Sequence, residues 1–162
     1  MKYREVKVGI GDYKIAKSPD RLMTIGLGSC IGIAMIDKKS GIGGLAHIML
    51  PDSKKFNKIS NEIKFANLAI PILIRVMVEN GAKEKELRAK IAGGATMFNF
   101  ADNKVNMDIG ARNSIAVKAI LKARKIPIDS EEIGGTKGRT IIFDTVTGDL
   151  YVKIIGEGTK II

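Results

Sequence analysis

The sequence contains one cysteine, Cys30, one histidine, His47, and neither tryptophan nor glutamine. A single cysteine excludes an intrachain disulfide, and with it the cross-linked scaffolds of small secreted domains. A reducing, cytoplasmic setting is therefore expected. One cysteine and one histidine leave a four-ligand zinc site short of ligands unless carboxylates cluster, and no such cluster is visible. Neither metal nor cofactor is expected. Aromatic residues make up only 5% of the chain, and none alternates with basic residues in the way that stacks nucleic-acid bases. Long apolar runs are missing too. The longest, residues 68–78, is broken by Pro71 and Arg75 and is too short to span a bilayer. The first residues, MKYREVKVGIGDYK, have no apolar leader core, so no membrane insertion is expected.

What remains is an ordinary globular composition. The 162 residues, 45% of them hydrophobic, predict one domain over residues 1–162 with a sizeable core. The net charge of +10 favours acidic partners by long-range steering. Its positive residues are dispersed, as on a solvated surface, and nucleic acid is not the expected partner.

Residues 5–8 and 13–16 read as short edge strands around a turn at 9–12, and residues 22–25 as a short apolar strand. Residues 31–36 and 45–50 are branched, apolar runs of strand length, as in strands buried on both faces. Ser60 is a candidate N-cap for a helix with apolar positions Ile63, Ala66, Ile70, Leu73, Ile74, Met77 and Val78, kinked at Pro71 and closed by Asn80-Gly81. A strand over 87–92 runs into Gly93-Gly94-Ala95, and a polar loop follows at 102–106. A second helix begins near Asp108, with Ala111, Ile115, Ala119 and Leu121 on its buried side. Strands at 128–133, 140–144 and 150–155 close the chain, the last two joined by the turn Thr147-Gly148-Asp149. Two main helices and many strands predict a layered α+β fold.

The stretch from Leu22 to Pro51 carries both rare residues. Glycines at 26 and 28 and Ser29 lead into Cys30, and a short turn at 37–41 returns the chain toward His47. A hairpin pairing Asp37 with Ile42 puts Cys30 opposite Met49, with His47 a diagonal neighbour about 7–8 Å away on the same face. Pairing Asp37 with Ser40 would set the two directly opposite. A one-residue bulge at Gly41 would separate them. A thiol beside an imidazolium is acidified toward the nucleophilic thiolate, and the imidazole can then protonate a leaving amine. Acyl transfer is the natural reaction. Gly28 and Ser29 are candidates to line the substrate and oxyanion site, with the Cys30 N–H or one near it as donor. The group that orients His47 is open between Thr24, which shares the alternation parity of Cys30 if the segment between them is extended, and the carboxylates Asp37, Asp52 and Asp108.

Each feature also has a plain structural reading. Lone cysteines are usually buried and inert, and a lone histidine in an apolar strand is more often a core residue than a base. The glycine pairs 93–94 and 134–135 read first as tight turns. Asp108 suits a helix cap. Phe98 and Phe100 fit core packing as well as an exposed partner patch.

Taken together, the motifs resemble one family. Thr24-Ile-Gly-Leu-Gly-Ser-Cys30, Asp37 and Gly44-Leu-Ala-His47-Ile-Met-Leu-Pro51 are similar to the signature of CheD, the chemoreceptor glutamine deamidases. Lys90-Ile-Ala-Gly-Gly-Ala-Thr-Met-Phe98, Ile109-Gly-Ala-Arg-Asn113 and Ile133-Gly-Gly-Thr-Lys-Gly-Arg139 resemble further segments in the same order. The resemblance implies a fold like that of the cytotoxic necrotising factor-type deamidases. It implies hydrolysis of glutamine side-chain amides to glutamate, with release of ammonia, on the cytoplasmic domains of methyl-accepting chemotaxis receptors. Hydrolysis of glutamyl methyl esters is a possible companion activity in the family. The family's catalytic cysteine, histidine and threonine fall on Cys30, His47 and Thr24. CheC, a phosphatase of phosphorylated CheY, is implied as a partner. A non-catalytic module that docks on CheC and stimulates it is the alternative function.

Overall fold

A computed structural model describes residues 2–97 and 108–162; the polar loop expected over 102–106 and the pair Phe98 and Phe100 lie outside them. The described chain is an α+β fold of two mixed five-stranded sheets and two α-helices. One sheet has the order β1 (Glu5–Val8), β3 (Arg21–Leu27), β8 (Arg139–Asp144), β9 (Leu150–Ile154), β10 (Gly158–Ile161). The other has β2 (Tyr13–Lys17), β5 (Ile42–Ile48), β4 (Ile31–Asp37), β6 (Arg88–Gly93), β7 (Ile128–Ile133). β1 and β2 are edge strands as expected, but they border different sheets rather than forming a hairpin. β10 has no counterpart in the sequence reading. None of the described helices is long and apolar enough to cross a membrane.

The second sheet is the middle of three layers, and this explains its apolar strands. Every residue of β4 and β5 is buried. Ile31, Ile33 and Met35 point to the helices, joining Leu73, Ile74, Met77, Val117 and Leu121. Ala34, Ile36 and Leu45 point to the first sheet, against Leu22, Ile141, Phe143 and Val152. With both faces covered, strand alternation disappears from the sequence.

β5 begins three residues before the expected strand. Gly43 and Gly44 lie within it, because larger neighbours occupy both faces. A Cβ on Gly43 would come 2.8 Å from Thr145 Cγ2, and one on Gly44 would come 2.8 Å from Leu73 Cδ1. These glycines admit close approach of the layers rather than a turn.

The first helix, α1 (Ala66–Glu79), starts later than Ser60. The chain is still extended at Phe65, where Lys64 O accepts from Met49 N and Leu50 N, and Ala66 N donates to Leu50 O. Those strand-like bonds compete with helical ones. A 3-10 turn over Glu62–Lys64, capped by Asn61, takes Ile63 out of α1. α1 runs through Pro71 as one element, and Val78 is exposed.

The second helix, α2 (Ile109–Ala123), is capped by Asp108 as expected. Its buried face differs. Gly110, Asn113, Ser114, Val117 and Leu121 are buried, whereas Ile115 and Ala119 are exposed. Asn113 and Ser114 turn inward because their polar atoms find backbone carbonyls there.

Candidate active site

The hairpin of β4 and β5 takes the first of the three possible registers. Asp37 pairs with Ile42 and Gly32 with His47, so Cys30 and His47 are on the same face of the sheet. That face looks toward the first sheet: a Cβ on Gly32 would run into Ile141 Cδ1 and Leu27 Cδ1, and Cys30 packs against the inter-sheet core. His47 is fully buried. The turn between β1 and β2 fixes its backbone, with Gly11 N donating to His47 O and His47 N donating to Asp12 O.

Thr24 enters from the other sheet. Its side chain faces inward from β3, and Thr24 Oγ1 lies 2.7 Å from His47 Nδ1 and 2.7 Å from Val8 O. A carbonyl oxygen only accepts, so the hydroxyl proton is committed to Val8. Thr24 Oγ1 must then accept from His47 Nδ1–H. This fixes the neutral tautomer and leaves a lone pair on Nε2, which is buried and has no hydrogen-bond partner among the described residues.

The carboxylate alternatives are engaged elsewhere. Burial pushes the Asp37 carboxyl up, but the N–H groups of Lys83, Ser40 and Lys39 outweigh it and hold it below its ordinary value, at the turn end of β4. Asp52 accepts from Lys54 N and caps a 3-10 turn. Asp108 accepts from Ala111 N, which holds its carboxyl low, and from Thr96 Oγ1. Alternation from Thr24 to Cys30 does not explain the meeting of the two elements. A bulge between Thr24 and Leu27, with Gly26 at φ +74°, resets the parity.

The resting pair is neutral, contrary to the expected imidazolium beside a thiolate. Burial pushes the Cys30 thiol above its ordinary value, with its own backbone N–H pulling weakly the other way. Burial likewise lowers His47 to about 4. Neither charge is favoured between the sheets.

The loop before Cys30 is held by three consecutive carbonyls. Gly28 O accepts from Ala95 N at 2.9 Å, Ser29 O from Asn113 Nδ2 at 2.9 Å, and Cys30 O from Gly94 N at 2.9 Å. Thus Gly93-Gly94 is more than a turn: it lies against the cysteine backbone. Gly93 has φ +119°, and a Cβ there would overlap the Cys30 carbonyl oxygen. Gly93→Ala is expected to cost about 2–4 kcal/mol, because neither backbone can retreat, and to displace Cys30. Urea denaturation together with the alkylation rate of Cys30 measures both effects. Gly134 joins the same cluster, donating to Gly93 O, and Gly135 O accepts from Thr96 N. Buried Arg139 pins this end of the fold through the carbonyls of Gly93 and Gly134 and through Glu132.

Asn113 was not among the candidate residues of the sequence. The sequence pattern gave no signal for it, because apolar periodicity put Ala111, Ile115, Ala119 and Leu121 on the buried side, whereas the inward face carries Gly110, Asn113, Ser114, Val117 and Leu121.

A thiol, an imidazole in a fixed tautomer and a glycine-rich, backbone-lined loop suit acyl transfer chemistry. A family model described as "CheD chemotactic sensory transduction" matches residues 49–154. The chain is also 58% identical, over 160 residues and 99% of each chain, to the "Probable chemoreceptor glutamine deamidase CheD" of Clostridium botulinum strain Hall. It is equally similar, over the same share of both chains, to the protein of that name from Clostridium kluyveri. The chain belongs to the CheD family.

Proposed function

We propose that this protein is a cysteine-dependent glutamine deamidase acting on the cytoplasmic domains of chemoreceptors, with Cys30 as nucleophile, His47 as base and acid, and Thr24 as the residue that orients His47. The observation that carries the reading is the Thr24–His47 contact, which leaves Nε2 of a neutral imidazole bare on the same sheet face as the thiol.

The reaction starts from the neutral pair. His47 Nε2 takes the thiol proton as Cys30 Sγ bonds to the carboxamide carbon, and the carbonyl oxygen becomes an oxyanion. The Cys30 N–H, beside Gly28 and Ser29, is the donor for that oxygen. The imidazolium then gives its proton to the amide nitrogen, the C–N bond breaks and ammonia leaves. Water, deprotonated by His47, attacks the thioester; the C–S bond breaks and glutamate is released as the thiol is restored. A neutral resting pair suits an amide substrate, since charge develops only after the substrate has displaced water.

Thr24→Val is expected to lower kcat by about 10–100-fold with little change in KM, because the Nδ1–H loses its acceptor and the imidazole is freed to rotate. Steady-state ammonia release on a receptor cytoplasmic fragment measures it. The same fragment tests the function itself. Ammonia released with a matching conversion of particular glutamines supports the reading, and a fragment that binds without conversion sinks it.

Finer expectations belong to the same proposal: a fold akin to the cytotoxic necrotising factor-type deamidases, hydrolysis of receptor glutamyl methyl esters, a cytoplasmic location and binding of CheC. The +10 charge would speed encounter with an acidic receptor surface, and added salt should slow it.

A further inference from the structure

We propose that Asn113 is a positioning residue for the reaction: its amide holds the Ser29–Cys30 peptide so that the Cys30 N–H is aimed at the oxyanion. The inference rests on the reading of Cys30 as an acyl-accepting nucleophile. Asn113 is fully buried on α2, on the helix side of the central sheet. Its Nδ2 donates to Ser29 O at 2.9 Å and to Met49 O at 3.0 Å. Both acceptors are carbonyls, so the amide orientation is unambiguous and both hydrogens are spent. Its Oδ1 is buried with no partner among the described residues. An asparagine that satisfies two carbonyls while its own oxygen finds no partner among the described residues is a costly way to fill a core position.

The two carbonyls explain the cost. One precedes the nucleophile and the other lies two residues past His47, so a single side chain ties the loop that carries Cys30 to the end of β5, the strand that carries His47. The first bond has a geometric consequence. The peptide is planar and trans, so its N–H points opposite to its C=O. With Ser29 O drawn toward α2, the Cys30 N–H points away from the helix layer, toward the inter-sheet face where His47 and Thr24 meet. The neighbouring Cys30–Ile31 peptide is held independently by Gly94 N. Losing Asn113 therefore frees one plane, the one that carries the donor.

The test separates oxyanion support from general support. Acylation of Cys30 by p-nitrophenyl acetate forms the Sγ–C bond, passes the thiol proton to His47 Nε2, places negative charge on the carbonyl oxygen in the tetrahedral intermediate, and then breaks the C–O bond to release p-nitrophenolate. Alkylation by iodoacetamide forms an Sγ–C bond and releases iodide, with no oxyanion. In Asn113→Ala the acylation rate and the kcat on receptor fragment are expected to fall about 100-fold, with alkylation and KM within about threefold of wild type. If Asn113→Ala does not fold, Asn113→Ser, too short to reach both carbonyls, is expected to show the same separation. A folded variant that acylates at the wild-type rate overturns the proposal. So does one in which acylation and alkylation fall in proportion, since that marks a structural prop. Wild-type protein that is acylated but leaves receptor glutamines unchanged fails the proposed function only. Wild-type protein that is not acylated overturns both.

Discussion

Incubation with wild-type protein is expected to convert particular glutamines of a receptor cytoplasmic fragment to glutamate, and incubation with Cys30→Ala to convert none. Peptide mass mapping reads each site as the exchange of an NH2 for an OH. The expected loss in kcat is roughly 10⁵–10⁶-fold, as when the nucleophile of a hydrolytic triad is removed. Neither Thr24 nor His47 replaces the thiol: Thr24 Oγ1 has its proton committed to Val8, and His47 is held by Thr24 on one nitrogen and buried on the other. The fold should tolerate the change to within about 1 kcal/mol, because Cys30 is only half-buried and makes no structural bond through sulfur. Cys30→Ser should be nearly as inactive, since a hydroxyl is far harder to deprotonate with a base as weak as this histidine. Retained conversion by Cys30→Ala would mean that the nucleophile is another residue. No conversion by either protein, on a fragment that binds both, would favour the module that docks on CheC.

The second large effect is on pH dependence. His47 is neutral in the folded protein, with its value lowered by burial to about 4. In the unfolded chain it takes up a proton at its ordinary value near 6.5. As pH falls through this window the unfolded state binds the extra proton, so stability falls from pH 6.5 to about 4 and then levels off. The full window is worth about 3 kcal/mol, a large share of a domain's stability. Urea denaturation at a series of pH values measures the slope. In His47→Gln that slope should vanish, leaving only the losses at lower pH that come from carboxylates such as Asp37 and Asp108, held below their ordinary values. Catalysis should follow the same group. The acid limb of kcat/KM is expected near 4 rather than 6.5, because only the unprotonated imidazole takes the thiol proton. An acid limb at 6.5 would show that His47 is solvated in the working protein and that burial does not lower its value there.

How far the structure was legible in the sequence depended on whether local or distant contacts set each feature. Asp108 was legible as a helix cap, because its bond to Ala111 N lies within the next turn. The turn at Thr147-Gly148-Asp149 and the strands at its sides were legible for the same reason. The start of α1 was not, since the strand-like bonds of Lys64 and Ala66 to Met49 and Leu50 come from a distant segment. Nor was the strand role of Gly43 and Gly44: which side chains lie over them depends on how three layers stack. The inward face of α2 was misread because periodicity favours apolar Ile115, while Asn113 turns inward to reach the carbonyls of distant segments and Ser114 bonds back to Gly110 O within the helix.

At the site, the sequence by itself determined the cast. One thiol and one imidazole on a short apolar hairpin, approached by glycines, make acyl transfer the natural chemistry if the two meet, and the structure alone chose among the three registers that the turn allows. Tertiary structure alone decided the rest. Thr24 reaches His47 from the opposite sheet, across a bulge that breaks the parity argument. Asn113 reaches the cysteine loop from a helix more than eighty residues away in sequence. The protonation states, too, are consequences of packing. A thiol and an imidazole are charged or neutral according to the water and charges around them, and here the two sheets bury His47 fully and Cys30 in part.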